Sequence, residues 1–220
     1  MITEWDEYWA KVPNMHNRVY DRIAVFYRKY IIKPYLRRFF YRNFHGSTTI
    51  LHAGCGGGQV EEGIVDSAGI IGMDISVNAL SLYKKNNPGS SLILGDIMST
   101  GFKSESFDGI YNLGVMEHFS EDEINYILRE FHRVLKKKGA IILFWPPRYG
   151  ATVIVLKGVH FFYNSVLGKK VRFHPPEPSL IKSMNHVETL VTGAGFRLRS
   201  YDFGIGDLFT YAVVVLEKVC

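Results

Sequence analysis

The sequence predicts an α/β protein built on a doubly wound, mostly parallel sheet, and three observations predict it. Residues 50–76, ILHAGCGGGQVEEGIVDSAGIIGMDIS, run from a short apolar segment through a loop with glycines at 54, 56, 57 and 58 and a helix-compatible segment into a second apolar run ending at Asp74. Beyond it, short apolar runs keep alternating with segments of helical period, which is the rhythm of strand–helix–strand units. The fifth apolar run, residues 140–145, is nearly uninterrupted, as suits a strand covered on both faces of a parallel sheet. A chain of 220 residues that is 47% hydrophobic can bury one sizeable core.

The elements follow in order. Residues 1–12, MITEWDEYWAKV, carry acids and tryptophans where a signal peptide has basic and apolar regions, so no signal peptide is expected. Residues 18–44 read as helical on both sides of Pro34, and 1–45 is taken as an N-terminal helical lid on a domain spanning 46–220. A helix is expected over 77–85 with Ser76 as its N-cap, stopped by Asn86-Asn87-Pro88-Gly89. Strands are expected at 91–95 and 106–112. Ser120 and Glu123 form a capping box for a helix whose stripe is Ile124, Ile127, Leu128, Phe131, Val134 and Leu135, with Lys136, Lys137 and Lys138 on its last turn and Gly139 closing it. An insertion, 148–178, follows the fifth strand. Asn185 and Glu188 suggest a capping box for one more helix, and 196–203 and 209–217 read as an antiparallel hairpin at one sheet edge.

The glycine loop carries the chemistry. Absence of Cβ lets a ligand approach bare backbone N–H groups, and an acid at the end of the second strand, Asp74, can accept hydrogen bonds from a ribose. The dinucleotide fingerprint Gly-x-Gly-x-x-Gly fails, because its last position falls on Gln59 or Glu61, and the lysine of a Walker loop is missing. Gly54-Cys55-Gly56-Gly57-Gly58 instead resembles the first motif of the class I S-adenosylmethionine-dependent methyltransferases. Gly95-Asp96 after the third strand and Leu113-Gly114-Val115-Met116-Glu117-His118 after the fourth match further motifs in the same order, as does Val19 to Tyr27 ahead of the first strand.

The resemblance implies a seven-stranded Rossmann-like sheet with the last strand antiparallel, and S-adenosylmethionine as cofactor. It implies cofactor contacts at Gly54, Cys55, Gly56 and Gly58, at Asp74 and Ile75, at Asp96 and Ile97 beside the adenine, and at Leu113 and Gly114 beside the methionine moiety. Tyr20 and Tyr27 would belong to a lid over it. His52 stands where the family usually has an acid. The nearest group is the small-molecule methyltransferases that include those of ubiquinone and menaquinone biosynthesis.

Charge bears on the acceptor. Residues 18–46 carry +7 and residues 148–174 carry +5, leaving the remainder at −7. Both basic stretches should hang over the carboxyl ends of the strands, favouring an anionic or lipid-like small-molecule acceptor, or contact with an anionic membrane surface. Methyl transfer needs chiefly orientation and exclusion of water. His118 is the first candidate base, against a purely structural imidazole, with His174, His160 and Tyr149 behind it. The Asn/Asp-Pro-Pro-aromatic motif of nucleobase amine methylation does not follow the fourth strand, and neither Cys55 nor Cys220 is placed as a cytosine-methylating nucleophile. Metal-ligand spacing is missing too. The expected function is methyl transfer to an oxygen or carbon centre of a lipid, quinone precursor, polyketide or glycan. The alternatives are an RNA or protein methyltransferase and a non-catalytic binder of the cofactor. A cytoplasmic location is expected, with peripheral membrane contact open and oligomeric state undetermined.

Overall fold

The computed structural model describes residues 2–12, 19–47, 49–61, 63–64, 69–161 and 176–219. Its strands are β1 (Thr49–Ala53), β2 (Gly69–Asp74), β3 (Ser91–Leu94), β4 (Phe107–Leu113), β5 (Leu135–Trp145), β6 (Phe196–Asp202) and β7 (Ala212–Lys218). They form one sheet in the order β3-β2-β1-β4-β5-β7-β6. The first five pair in parallel, while β7 lies antiparallel between β5 and β6. The doubly wound sheet with an antiparallel last strand is the expected one. Its strand order reverses between β1 and β4, which makes the carboxyl ends of those two strands the switch point where such sheets bind ligands.

Alternation along the strands divides the core between two faces. On one face Leu51, Ile110, Ile141, Leu143 and Val214 pack with α5 (Glu121–Val134) and α7 (Met184–Gly193) through Ile127, Phe131, Val187 and Val191. On the other, Ile50, Tyr111, Ile142 and Phe144 meet α3 (Lys33–Asn43) through Leu36, Phe39 and Phe40, all at most 4% exposed. The basic N-terminal stretch therefore divides. α3 belongs to the core, whereas α1 (Ile2–Lys11) and α2 (Val19–Tyr27) lie towards the carboxyl edge, α2 passing into α3 through a π-helical turn, Arg28–Ile32.

Local readings fare unequally. The Ser76 cap and the Ser120/Glu123 capping box are present, Ser76 Oγ accepting from Ala79 N at 3.1 Å. The lysine run is not on a helix: α5 stops at Val134, and Leu135 already pairs with Phe107 in β5. Leu135 is fully buried and Lys136 reaches Asp108 at 2.8 Å, so extended backbone satisfies both, and the left-handed Lys138 (φ 64°) absorbs the register shift that follows. The cap of α7 is Ser183, which accepts from His186 N at 3.2 Å, so Asn185 falls inside the helix. The segment after the glycine loop is not helical where it is described: Gln59 and Val60 form bends and Glu61 is irregular, with Val60 N–H donating to the Glu61 carboxylate. β7 starts three residues later than expected, because Leu208 and Phe209 are left-handed and a short 3-10 turn, Ile205–Asp207, precedes them.

Truncating Phe40 to Ala should destabilise the protein by about 3–5 kcal/mol. A denaturant midpoint unchanged by F40A would show that α3 is not part of the core.

Candidate functional site

A cavity of about 450 Å³ opens at the switch point. Its floor is the glycine loop after β1, Asp74 and Ile75 after β2, Gly95 to Ile97 after β3 and Leu113 to Val115 after β4. The loop is held by Asp74, whose two carboxylate oxygens accept from Gly56 N at 2.8 Å and Ser76 N at 3.0 Å. Each oxygen retains a further lone pair for a ligand. Burial raises the Asp74 carboxyl, opposed by those backbone hydrogen bonds. Asp96 accepts from Met98 N at 2.8 Å, which orients the second carboxylate of the floor.

The cover is built from segments distant in sequence. Trp5, Tyr8 and Trp9 of α1 and Val12, the residue directly after it, line the cavity, spaced i, i+3, i+4 and i+7. Trp9 lies on the glycine loop: a Cβ on Gly56, whose φ is +54°, would come within 2.7 Å of its ring. Asp6 fixes α1 to the start of α4 (Val77–Asn86), accepting from Ser76 Oγ at 2.7 Å and Asn78 N at 3.1 Å. From α2, the Tyr27 hydroxyl donates to Asp207 O at 2.6 Å and meets Thr210 Oγ1, while Arg28 donates to Gln59 Oε1 at 2.8 Å. Thr152 and Val153 of α6 (Ala151–Phe161) complete the rim.

Gly54, Cys55, Gly56, Gly58, Asp74, Ile75, Asp96, Ile97, Leu113, Gly114, Tyr27 and His118 are thus brought together on one cavity wall or another. Tyr149 is not: it is half exposed, bonds Tyr201 across hydroxyls at 3.0 Å and packs edge-on to Phe203, outside the cavity. His174 and Cys220 lie outside the described residues, as do the side chains of Tyr20 and His160. His118 Nδ1–H donates to Pro176 O at 2.9 Å, and its ring meets Trp5 edge-on at 4.9 Å. Burial, with Asp74 and Glu61 nearby, pushes the Cys55 thiol far up, so it supplies no thiolate. Among the described residues no cluster of three metal-ligating side chains exists.

Sequence reasoning missed the α1 face, Glu61 and Tyr211, and named Glu117 within a motif without giving it a place in the site. The first had a visible signal in its spacing. His52 is 2% exposed, stacks on Tyr111 at 4.2 Å and is kept neutral by burial, which lowers it to about 3. The carboxyl absent from β1 arrives on the same wall from the loop, Glu61 Oε1 lying 3.6 Å from His52 Nδ1. Burial raises Glu61 from 4.5 to about 7. The folded state therefore binds this proton more tightly than the unfolded state; the stabilisation is full below pH 4.5 and is lost as pH rises through 7. Glu61→Gln should raise the thermal unfolding midpoint at about pH 8 and lose that advantage near pH 4.5. An equal effect at both pH values would refute a buried, ionising Glu61.

Residues 51–143 match the family model described as a methyltransferase domain. An uncharacterised methyltransferase of Synechocystis is 29% identical over 109 residues, which are 44% of this chain and 51% of the relative, so the match spans about half that relative's length. Among solved structures, a SAM-dependent methyltransferase of Methanosarcina mazei superposes with a TM-score of 0.65 at 16% identity, covering 82% of this chain and 97% of the other. Magnesium protoporphyrin IX methyltransferase of Synechocystis, with bound SAH, gives 0.63 at 15% identity over 85% of this chain and 82% of the other. The sheet shares the Rossmann-like fold of these methyltransferase structures, and the segment within it that matches the methyltransferase-domain model, 51–143, runs from β1 into β5.

Proposed function

We propose that the chain transfers the methyl group of S-adenosylmethionine to an oxygen or carbon centre of a small acceptor. The observation that carries this reading is the cavity at the switch point, where the glycine loop, Asp74 and Asp96 stand at the ends of three neighbouring strands. Asp74 would accept from the ribose hydroxyls, Asp96 from the adenine amino group, and Leu113 and Gly114 would lie along the methionine moiety. His52 and Glu61 stand on the wall nearest the glycine loop, where Glu61 would meet the cofactor's ammonium. The donor is an activated sulfonium, so the protein's task is to orient an acceptor in line with the methyl group and exclude water, which the cover of α1 and α2 supports.

The mouth supports a lipid-like or anionic acceptor. Tyr27, Arg28, Thr152 and Val153 line the cavity, and the residues beside them, Phe26, Tyr30, Ile154 and Val155, are exposed. Lys29, Lys33 and Arg37 gather at Tyr30 on the outer side. Such a rim suits a molecule with an apolar body and a negative group, drawn from solution or from an anionic bilayer surface. Among the described residues no helix is long and apolar enough to cross a membrane. A neighbour of the same fold acts on magnesium protoporphyrin IX, and the Val19 to Tyr27 helix over the cavity agrees with the group that includes quinone-biosynthesis enzymes.

Asp74→Ala should weaken S-adenosylmethionine binding about 10- to 100-fold, the worth of hydrogen bonds to a charged group, and Asp74→Asn, which keeps one acceptor oxygen where two backbone amides now donate, should weaken it as well. Unchanged affinity by calorimetry would reject the site. With methyl-labelled cofactor and an extract of the source cells, label is expected in organic-soluble products. Label confined to acid-precipitable material would assign a macromolecular acceptor instead.

A further inference from the structure

Glu117 sits in the turn Met116–His118 directly after β4 and lines the cavity, yet it is 4% exposed and its Oε2 has no hydrogen-bond partner among the described residues. Its other oxygen converges with a second polar group. A Cβ built on Gly114, whose φ is +67°, would lie 3.3 Å from Glu117 Oε1 and 3.4 Å from the Tyr211 hydroxyl. The lack of a side chain at Gly114 therefore leaves a carboxyl and a phenol flanking one spot beside β4. The floor's nucleoside-binding carboxylates stand at β2 and β3, on the far side of β1, so this spot belongs to the methyl-transfer end.

We infer that Glu117 takes the proton from the methyl acceptor, and that entry of the cofactor's positive sulfonium converts it from the acid to the carboxylate that can do so. This assignment rests on the S-adenosylmethionine reading above. In the cavity without that charge, burial holds the Glu117 carboxyl well above the usual carboxylate range, and Glu177 on the segment facing it acts in the same direction. His118, on the same turn, has Nε2 3.9 Å from Glu117 Oε1. Tyr211, just before β7, faces the site with the buried Asp207 carboxylate accepting from its backbone behind it, and Tyr27 and Arg28 face it from the lid side. Burial keeps both phenols protonated, so they can donate but do not compete for the acceptor's proton. A cation brought within about 4–6 Å of a carboxyl favours its ionised form. The base is thus created by the same molecule that supplies the methyl group, and an empty or product-loaded site holds a neutral acid.

The step balances without another reactant. A lone pair of the acceptor hydroxyl attacks the methyl carbon as the carbon–sulfur bond breaks. Its electrons stay on sulfur, giving neutral S-adenosylhomocysteine, and the hydroxyl proton passes to the Glu117 carboxylate. Loss of the positive charge then favours the protonated acid, as the free cavity does.

The test compares the methyl donor with its product. Calorimetric titrations of each ligand in buffers of different ionisation enthalpy count the protons released on binding. The wild-type chain should release up to about one more proton with S-adenosylmethionine than with S-adenosylhomocysteine near neutral pH. Glu61 and the other carboxyls near the shared ammonium respond to both ligands and drop out of the difference. In Glu117→Gln, an isostere that keeps the shape of the wall, both ligands should still bind and the difference should vanish. The ratio of the two affinities should also rise with pH in the wild type and stay flat in the variant. Equal proton counts in the wild type, or a difference that persists in E117Q, overturns the inference. Failure of the wild type to bind either ligand instead overturns the cofactor reading beneath it.

Discussion

The arrangement of the site depends on one carboxylate, Asp74. Standing at the end of β2, it accepts from Gly56 on the loop after β1 and from Ser76 at the start of α4, and so ties two strand ends and a helix N-terminus into a fixed floor. Ser76 then caps α4 through Ala79 N and donates to Asp6 of α1. A continuous series of hydrogen bonds therefore runs from the cover, through the helix cap, to the loop. The close approach of Trp9 to Gly56 depends on it, because the ring fits only while the loop stays in its tight, left-handed course. Hydrogen bonds to a charged group are worth about 1.5–3 kcal/mol each, which makes Asp74 the energetic as well as the geometric centre of the edge.

Around that centre the cavity wall carries polar groups a stable core would avoid. Glu61, Glu117 and His52 are nearly inaccessible, and each is shifted toward its neutral form by burial. Among the described residues His52 Nδ1 and Glu117 Oε2 lack hydrogen-bond partners, a condition that costs about 1–3 kcal/mol for each buried group. Apolar side chains would make the same wall more stable and leave it unable to respond to a cation. The neutral carboxyls compromise between these demands: they limit the folding cost in the empty state and retain a proton that a bound positive charge can displace.

Much of this was legible in the sequence because it rests on local patterns. Apolar runs of strand length, the glycine loop and the Ser76 and Ser120 caps are set by neighbouring residues, and the sheet and floor follow from them. The misplaced features depend on tertiary partners. Lys136 to Lys138 look like a helix end by charge, but burial of Leu135 opposite Phe107 and the Lys136–Asp108 pair draw them into β5. Ser183 outcompetes Asn185 as a cap because the helix begins where Ile181 has just left its bridge to Pro147. The environments of Glu61 and Glu117 come from burial, which no spacing reveals. The α1 face is different: Trp5, Tyr8, Trp9 and Val12 have a helical period that was readable, but nothing local says what an isolated amphipathic helix covers.

The cover and the core are held by different forces. α3 presents Leu36, Phe39 and Phe40 to the sheet, and burying side chains of that size contributes about 1.5–3 kcal/mol each. α1 and α2 are fastened over the cavity by a few hydrogen bonds through Asp6 and Tyr27, by the bond from Arg28 just after α2, and by the contacts of Trp5 and Trp9 with His118 and the glycine loop. Ile23 and Phe26 of α2 remain about 60% exposed, so that helix gains little from burial. The change from strong to weak attachment falls at the π-helical turn Arg28–Ile32, whose hydrogen bonding is already irregular. Uncovering the cavity thus costs a few hydrogen bonds and the α1 aromatic contacts, and leaves the sheet and its own aromatic packing intact. A ligand as large as a nucleoside sulfonium can then reach a floor that stays organised by Asp74 throughout.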